Sequence, residues 1–163
     1  MKSASGTSDE LQFDLEAGWT FLEESKARVF VGYFDASENF DQLFPTAHKW
    51  LGYADLFSRR NISGYRAGVT AGVLEKLSAS LEYHRFQRHK NSAPAYKFNG
   101  TAYGATGDAR DIADELDLVL NYKLEDDLSI EVGASRVEPL GYLKDGAGSD
   151  SASFYYIQTN YVF

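Results

Sequence analysis

The chain has 163 residues, of which 44% are hydrophobic and 15% aromatic, and this composition excludes an intrinsically disordered protein. Its formal net charge of −8 argues against a nucleic-acid partner, and its lack of cysteine excludes disulfides and thiolate metal sites. No segment has the roughly 20 consecutive apolar residues of a membrane helix, and the small, polar N-terminus lacks the apolar centre of a signal peptide. We therefore expect one domain over residues 1–163, with a flexible tail over residues 1–10.

Seven segments of the sequence alternate between apolar and polar residues, the period of a β-strand with two different faces. In the first, residues 11–22 (LQFDLEAGWTFL), one face carries leucine, phenylalanine, alanine and tryptophan. The other face carries glutamine, aspartate, glutamate, glycine and threonine. The alternation recurs, in chain order, over residues 27–33, 65–73, 77–84, 115–123, 128–135 and 152–163. The sequence therefore predicts an all-β fold.

The connections between these segments alternate between short and long. Tight turns at EESK, EK and EDD are separated by residues 38–63, 89–113 and 139–151, which are rich in glycine, aspartate, asparagine and serine. Short turns on one edge and long loops on the other indicate an antiparallel up-and-down sheet. This one-sided difference in length is typical of bacterial outer-membrane β-barrels.

The apolar face of the segments carries no charge through the strand centres, and its aromatic residues lie near the strand ends. Aromatic residues at two levels are typical of the girdles that flank the lipid-facing band of a membrane barrel. The alternative is a soluble, lipocalin-like barrel that binds an apolar ligand, because alternation does not say which face is inside. The aromatic residues are Trp19, Phe21, Tyr33, Tyr65, Tyr83, Tyr122, Tyr161 and Phe163.

Several stretches resemble the alginate-export family of outer-membrane porins. The most specific is FDQLFPTAHKWLGYADLF, residues 40–57, and further similarity lies in EAGWTF, VFVGYFDAS, LEKLSASLEYHRF, YKLEDDLSIEVGASRVEP and FYYIQTNYVF. The resemblance covers nearly the whole chain and the C-terminal portion of such a barrel. It implies an integral protein of the Gram-negative outer membrane, in contact with its lipid, for passive passage or export of polysaccharide or small polar solutes. It also implies that the last strand, ending in Phe163, is presented to the barrel-insertion machinery.

The number of strands predicts an incomplete barrel. Complete bacterial barrels have an even number of strands and both termini in the periplasm. If the last of seven strands runs toward the periplasm, the chain starts at the outer surface, so we expect a fragment that forms an open, strongly curved sheet. The alternative is a closed eight-stranded barrel in which HKWLGYADLF, residues 48–57, forms an additional strand.

The sequence offers no converging nucleophile, base or metal-ligand set, so we expect no enzyme, no catalytic residue, no cofactor and no metal site. The polar face instead predicts the lining of a pore, and it carries more acids than bases. The alternative role for this face is a set of cross-strand acid–base pairs that stiffen the wall. The candidate residues for lining the pore and contacting the solute are Arg28, Arg66, Glu82, His84, Asp117, Lys123, Glu131, Gln158 and Asn160.

The segment over residues 40–57 is amphipathic and aromatic, and it precedes two arginines. If this segment folds into the barrel mouth, its charged residues narrow the pore. The alternative is an outer loop that covers the sheet edge. The candidate constriction residues are Asp41, His48, Lys49, Asp55, Arg59 and Arg60.

Overall fold

A computed structural model describes residues 9–42, 50–104 and 107–163 of the chain. Within these ranges the fold is a single antiparallel sheet in which each strand pairs with the next along the chain. One short helix precedes the last strand. The elements are β1 (Gln12–Leu22), β2 (Ala27–Ala36), β3 (Ile62–Leu74), β4 (Leu77–Arg88), β5 (Asp111–Lys123), β6 (Leu128–Pro139), α1 (Gly141–Lys144) and β7 (Ala152–Tyr161).

The sheet is open, and this confirms the predicted partial barrel of seven up-and-down strands. In the described part of the chain, β1 pairs only with β2, and β7 pairs only with β6. The predicted flexible tail stays a prediction, because residues 1–8 lie outside the described residues.

The alternative of a closed eight-stranded barrel is wrong. Residues 50–56 form no strand, and Phe57 forms only an isolated antiparallel bridge with Lys97. The physical reason is that residues 50–59, hereafter the crossing segment, pack over the inner face of the sheet. One backbone N–H of the crossing segment binds a side chain instead of a neighbouring strand: Ala54 N–H donates to Glu115 Oε1 at 2.8 Å. Residues 48 and 49 of the postulated strand lie outside the described ranges.

The two faces of the sheet have opposite chemistry. On β5, Leu116, Leu118 and Leu120 are 48%, 43% and 38% exposed, whereas Glu115 and Asp117 between them are each 1% exposed. The outward faces of β1, β2, β3 and β4 are also apolar and exposed. Their inward faces are largely polar on β1, β3 and β4, whereas that of β2 carries buried Phe30 and Phe34. A soluble barrel with an apolar ligand inside requires the reverse arrangement, with its leucines covered.

The strands extend further toward the long loops than the alternation predicts. β4 ends at Arg88 and β5 begins at Asp111, four residues beyond the predicted ends in each case. Here the outward face also becomes polar, which hides the alternation. Outward-facing Arg85 pairs with Asp111 at 2.6 Å and with Asp114 at 3.5 Å. The sheet therefore continues above its apolar band.

Outward-facing aromatic residues lie at two levels. Near the loop end, the ring of Tyr33 lies 5.9 Å from that of Phe13 and 5.2 Å from that of Tyr65. Tyr122 lies near the turn end of β5, six residues along the strand from Leu116, the cross-strand partner of Tyr83. At 3.4 Å per residue the two levels are about 20 Å apart, close to the height of a lipid-facing band. No helix in the described ranges is both long and apolar enough to cross a membrane.

The hydrophobic core lies between the inner face and the long loops. Phe86 of β4 is at its centre, with ring centroids 4.7 Å from Phe57 and 5.9 Å from Phe34. Tyr142 of α1, which the sequence did not predict to be helical, is 1% exposed, and its hydroxyl accepts a hydrogen bond from Ala95 N–H at 3.2 Å. The core holds the loops against one end of the inner face and leaves the turn end open.

Candidate functional site

Strand register places the polar residues of the inner face in rows across the sheet. Glu16 of β1 lies opposite Gly32 of β2, which lies opposite Arg66 of β3. The row continues through His84 of β4 to Glu115 of β5. Residues far apart in the sequence therefore face the same space.

Glu16 binds two arginines. Arg28 Nη2 donates to its Oε1 at 2.5 Å, and Arg66 Nη2 donates to its Oε2. Arg66 reaches two strands across because Gly32 between them has no side chain. A Cβ atom at Gly32 would lie 2.9 Å from Arg66 Cγ, closer than real Cβ contacts allow. Glycine at this position therefore makes the Arg66–Glu16 ion pair possible.

Trp50 of the crossing segment lies beside two guanidinium groups. The guanidinium carbons of Arg59 and Arg66 lie 5.5 Å and 5.2 Å from the ring centroid of Trp50. Arg59 also donates to Asp14 Oδ2 of β1 at 2.5 Å. Cation–π contacts and the ion pair thus hold this part of the segment against β1 and β3.

Three carboxyl groups lie close to His84 on the inner face of β4 and β5. His84 Nε2 lies 3.4 Å from Asp117 Oδ2 and 3.6 Å from Glu82 Oε2. His84 and Asp117 are each 1% exposed, and neither carboxylate oxygen of Asp117 accepts a hydrogen bond from the described residues. Glu115 is buried in the next inward position of β5 and binds the crossing segment. This half of the face therefore concentrates acidic side chains.

Glycine at position 52 allows the crossing segment to pack closely against Glu115. Its φ of +79° lies in the left-handed region that favours glycine, and a Cβ atom there would lie 2.5 Å from Glu115 Cδ. The absent side chain lets the backbone approach the carboxylate, where Ala54 N–H is bound.

Tyr53 joins the crossing segment to the last strand. Its ring stacks on Tyr156 of β7, with centroids 5.9 Å apart and planes 9° from parallel. Tyr156 lies over Gly133 of β6, its cross-strand partner, and donates its hydroxyl to Glu131 Oε1 at 2.8 Å. Burial, with the negative charges of Glu82, Glu131 and Asp117, raises the pKa of Tyr53 to about 12.

Two open cavities lie along the inner face. The first, about 690 Å³, has Trp50 and Tyr53 on one side and charged strand residues around it. The second, about 870 Å³, lies toward the short turns and is lined by Tyr53, Val119, Asn121 and Glu131 among others. The strand residues of the first cavity are Asp14, Glu16, Arg28, Phe30, Arg66, Thr70, Glu82, Glu131 and Gln158.

The predicted pore-lining residues all lie at inward-facing positions of the strands, and their contact with a solute stays a prediction. Arg28, Arg66, Glu82, Glu131 and Gln158 surround the first cavity. The other four lie elsewhere on this face: His84 and Asp117 are buried, Lys123 pairs with Asp126 at 2.8 Å near a short turn, and Asn160 accepts a hydrogen bond from Gln158 at 2.6 Å.

The predicted constriction residues separate into different places. Arg59 reaches the inner face, and Asp55 lies close enough to Glu115 to interact electrostatically. Arg60 packs on the ring of Tyr96, 4.2 Å from its centroid, in the outer loops, and Asp41 is exposed. His48 and Lys49 lie outside the described residues.

The sequence analysis did not name Trp50, Tyr53 or Tyr156 among the pore-lining residues. The alternation of the last strand places Tyr156 at an inward position, which is directly opposite Gly133 in the structure. Apart from lying in a loop rich in aromatic residues, Trp50 and Tyr53 have no sequence feature that predicts their positions. Among the residues the structure describes, no group of three or more histidine, aspartate or glutamate side chains is arranged to hold a metal ion.

Comparison with protein families gives one match. The sequence model of a family described as alginate export matches residues 10–156, which include every strand up to the middle of β7. The comparison with curated proteins gives no significant match.

Proposed function

The chain belongs to the alginate-export family. We propose that it forms part of the wall of an outer-membrane channel that passes polysaccharide or small polar solutes. The protein would be integral to the outer membrane of a Gram-negative bacterium, with its apolar face against lipid. Its polar face would line the water-filled conduit, and transport would be passive, without catalysis.

The observation that carries this proposal is the inverted polarity of the sheet. Leu116 and Leu118 are exposed on the outward face, while Glu115 and Asp117 are covered on the inward face. Exposed apolar surface of this extent is unfavourable in water and is expected where lipid covers it. Charged residues on the lumen side alternate with lipid-facing ones in such barrels.

The crossing segment is proposed to narrow the conduit. It contacts Asp14 of β1, Arg66 of β3, Glu115 of β5 and Tyr156 of β7, so it lies across the inner face. Any solute moving along this face would pass beside its aromatic rings. This supports a constriction over the alternative of a loop that only covers an edge.

The test is conductance in planar bilayers after purification in detergent. We expect discrete conductance steps, and removal of residues 50–59 should enlarge them. The control variant removes the same number of residues, 95–104, from a loop that packs against the core above the inner face. A protein that stays monodisperse without detergent, binds an apolar dye in one saturable site and conducts nothing would overturn the proposal.

A further inference from the structure

We infer that the junction between the two cavities is a subsite that binds the polysaccharide by the ring and the hydroxyl groups of its sugar units, an inference that rests on the channel proposed above. Among the residues that the structure describes, three line both cavities and so mark the junction: Tyr53, Thr70 and Glu131. A polymer chain that lies in one cavity and extends into the other passes beside all three.

Tyr53 presents an aromatic ring at this junction. The ring is stacked on Tyr156, with centroids 5.9 Å apart, so its orientation is fixed before a solute arrives. The C–H groups of a pyranose ring carry partial positive charge and pack well against the partial negative charge of an aromatic face. Contact between the two surfaces also removes apolar area from water. A sugar ring packed against Tyr53 therefore gains contacts that neutral and uronic sugars can make equally.

Glu131 supplies an oriented acceptor for sugar hydroxyl groups. The hydroxyl of Tyr156 donates to its Oε1 at 2.8 Å, and Asn121 Nδ2 donates to its Oε2 at 3.4 Å. A carboxylate has about four acceptor positions, so these two bonds hold the group in place and leave capacity for further donors. Hydrogen bonds from a hydroxyl to a carboxylate are among the stronger ones in proteins. The same side chain of β7, Tyr156, thus positions both the aromatic ring and the acceptor.

Small side chains keep the space beside these groups open. Strand register places Thr70 of β3 in one row with Ser80, Val119 and Gly133 of the next three strands. Adjacent strands lie about 4.8 Å apart, so this row extends about 14 Å along the sheet and has room for more than one sugar unit. Ser80 and Val119 line the second cavity, and the threonine offers a hydroxyl at the far side of the row.

The test is a titration of tryptophan fluorescence in detergent. The chain has two tryptophans: Trp50 lines the first cavity, whereas Trp19 is 73% exposed on the outward face. The Trp19→Phe variant therefore leaves Trp50 as the reporter. The probes are tetragalacturonate, which is acidic, maltotetraose, which is neutral, and oligoglutamate, an acid without sugar rings. We expect a saturable change with both oligosaccharides and none with oligoglutamate; a response to one oligosaccharide alone supports the subsite and identifies the class of sugar it accepts.

Substitutions in this background separate the ring contact from the hydrogen bond. Tyr53→Leu keeps an apolar side chain without an aromatic face and should weaken binding by roughly threefold to tenfold, whereas Tyr53→Phe should bind like the parent. Glu131→Gln keeps an oxygen that can accept the Tyr156 hydroxyl and should weaken binding roughly tenfold. The matched controls are Tyr155→Leu, a ring 74% exposed on the outward face, and Glu138→Gln, an outward acid paired with Arg136.

Two results would overturn the inference. One is the absence of a saturable change with either oligosaccharide, and the other is binding by Tyr53→Leu and Glu131→Gln that equals binding by their controls. The titration does not require conductance, so the two proposals fail separately. A protein that conducts and does not bind the oligosaccharides refutes the subsite alone, whereas one that binds them and conducts nothing refutes the proposed channel.

Discussion

Tyr53 stacks on Tyr156 with the two ring planes 9° from parallel, which links a loop between β2 and β3 to the last strand of the sheet. These residues are 103 positions apart in the sequence, and their contact closes the crossing segment over the inner face. The contact depends on Gly133, which leaves the space that the Tyr156 ring occupies.

Gly133→Ala should therefore release the crossing segment. The added Cβ atom would lie 2.5 Å from Tyr156 Cζ, so the ring must move and the stacking on Tyr53 is lost. Overpacking of this kind costs roughly 1–3 kcal/mol. Limited chymotrypsin digestion in detergent should cut the segment near Tyr53 faster than in the unaltered protein. The matched control is Gly104→Ala, where a Cβ atom meets nothing within 4 Å.

Gly52→Ala should loosen the same segment at its contact with Glu115. Both the positive φ and the approach to the Glu115 carboxylate are unfavourable for alanine. Gly100→Ala separates the two effects, because Gly100 also has a positive φ of +81° but nothing within 4 Å of its Cβ position. The left-handed backbone costs about 1–2 kcal/mol in either variant. Thermal unfolding in detergent should show a larger loss for Gly52→Ala, and equal losses would contradict a specific contact with Glu115.

An arginine should be tolerated very differently at two neighbouring positions of β5. Leu118 faces outward and is 43% exposed, whereas Val119 faces inward and lines the second cavity. A lipid-facing arginine near the bilayer midplane costs roughly 2–4 kcal/mol, and a lumen position avoids that cost. Leu118→Arg should prevent folding into lipid vesicles, as measured by protease protection, and Val119→Arg should be much milder. Similar protection for both variants would refute the assignment of the faces.

Deletion of Phe163 should impair insertion in cells more than folding in detergent. The side chain is fully exposed, and its ring lies 6.4 Å from that of Tyr161, so the sheet itself gains little from it. We therefore propose that the expected loss reflects recognition by the barrel-insertion machinery. Phe163→Tyr, which keeps an aromatic terminus, serves as the control in outer-membrane fractions. Normal insertion of the deleted protein would show that the terminal aromatic is ordinary strand packing.

The alternation of residues predicted the strands and faces because a strand exposes every second side chain to the same surroundings. On β5, for example, Leu118 and Val119 differ in exposure as this period requires. The pattern failed above the apolar band, where Arg85 makes the outward face polar as well. Where both faces of a strand are polar, the sequence does not alternate and the strand cannot be recognised from its period.

The arrangement of the site could not be predicted in the same way. Local pattern does not show that Ala54 binds Glu115, 61 residues away, or that Arg66 pairs with Glu16 instead of its neighbours on β2 and β4. Both contacts follow from strand register together with missing side chains at Gly52 and Gly32. Once the register is known, the sequence does indicate where long side chains have room to cross.

The Arg66–Glu16 ion pair across Gly32 makes the evolution of these three positions interdependent. Any larger residue at position 32 displaces Arg66, and losing Arg66 leaves Glu16 with Arg28 alone. A lineage that replaces this glycine would first have to lose the ion pair, so related sequences should change these three positions jointly or in a fixed order. Covariation among them, with glycine at 32 wherever arginine occupies 66, would be the evolutionary trace of a side chain that spans two strands.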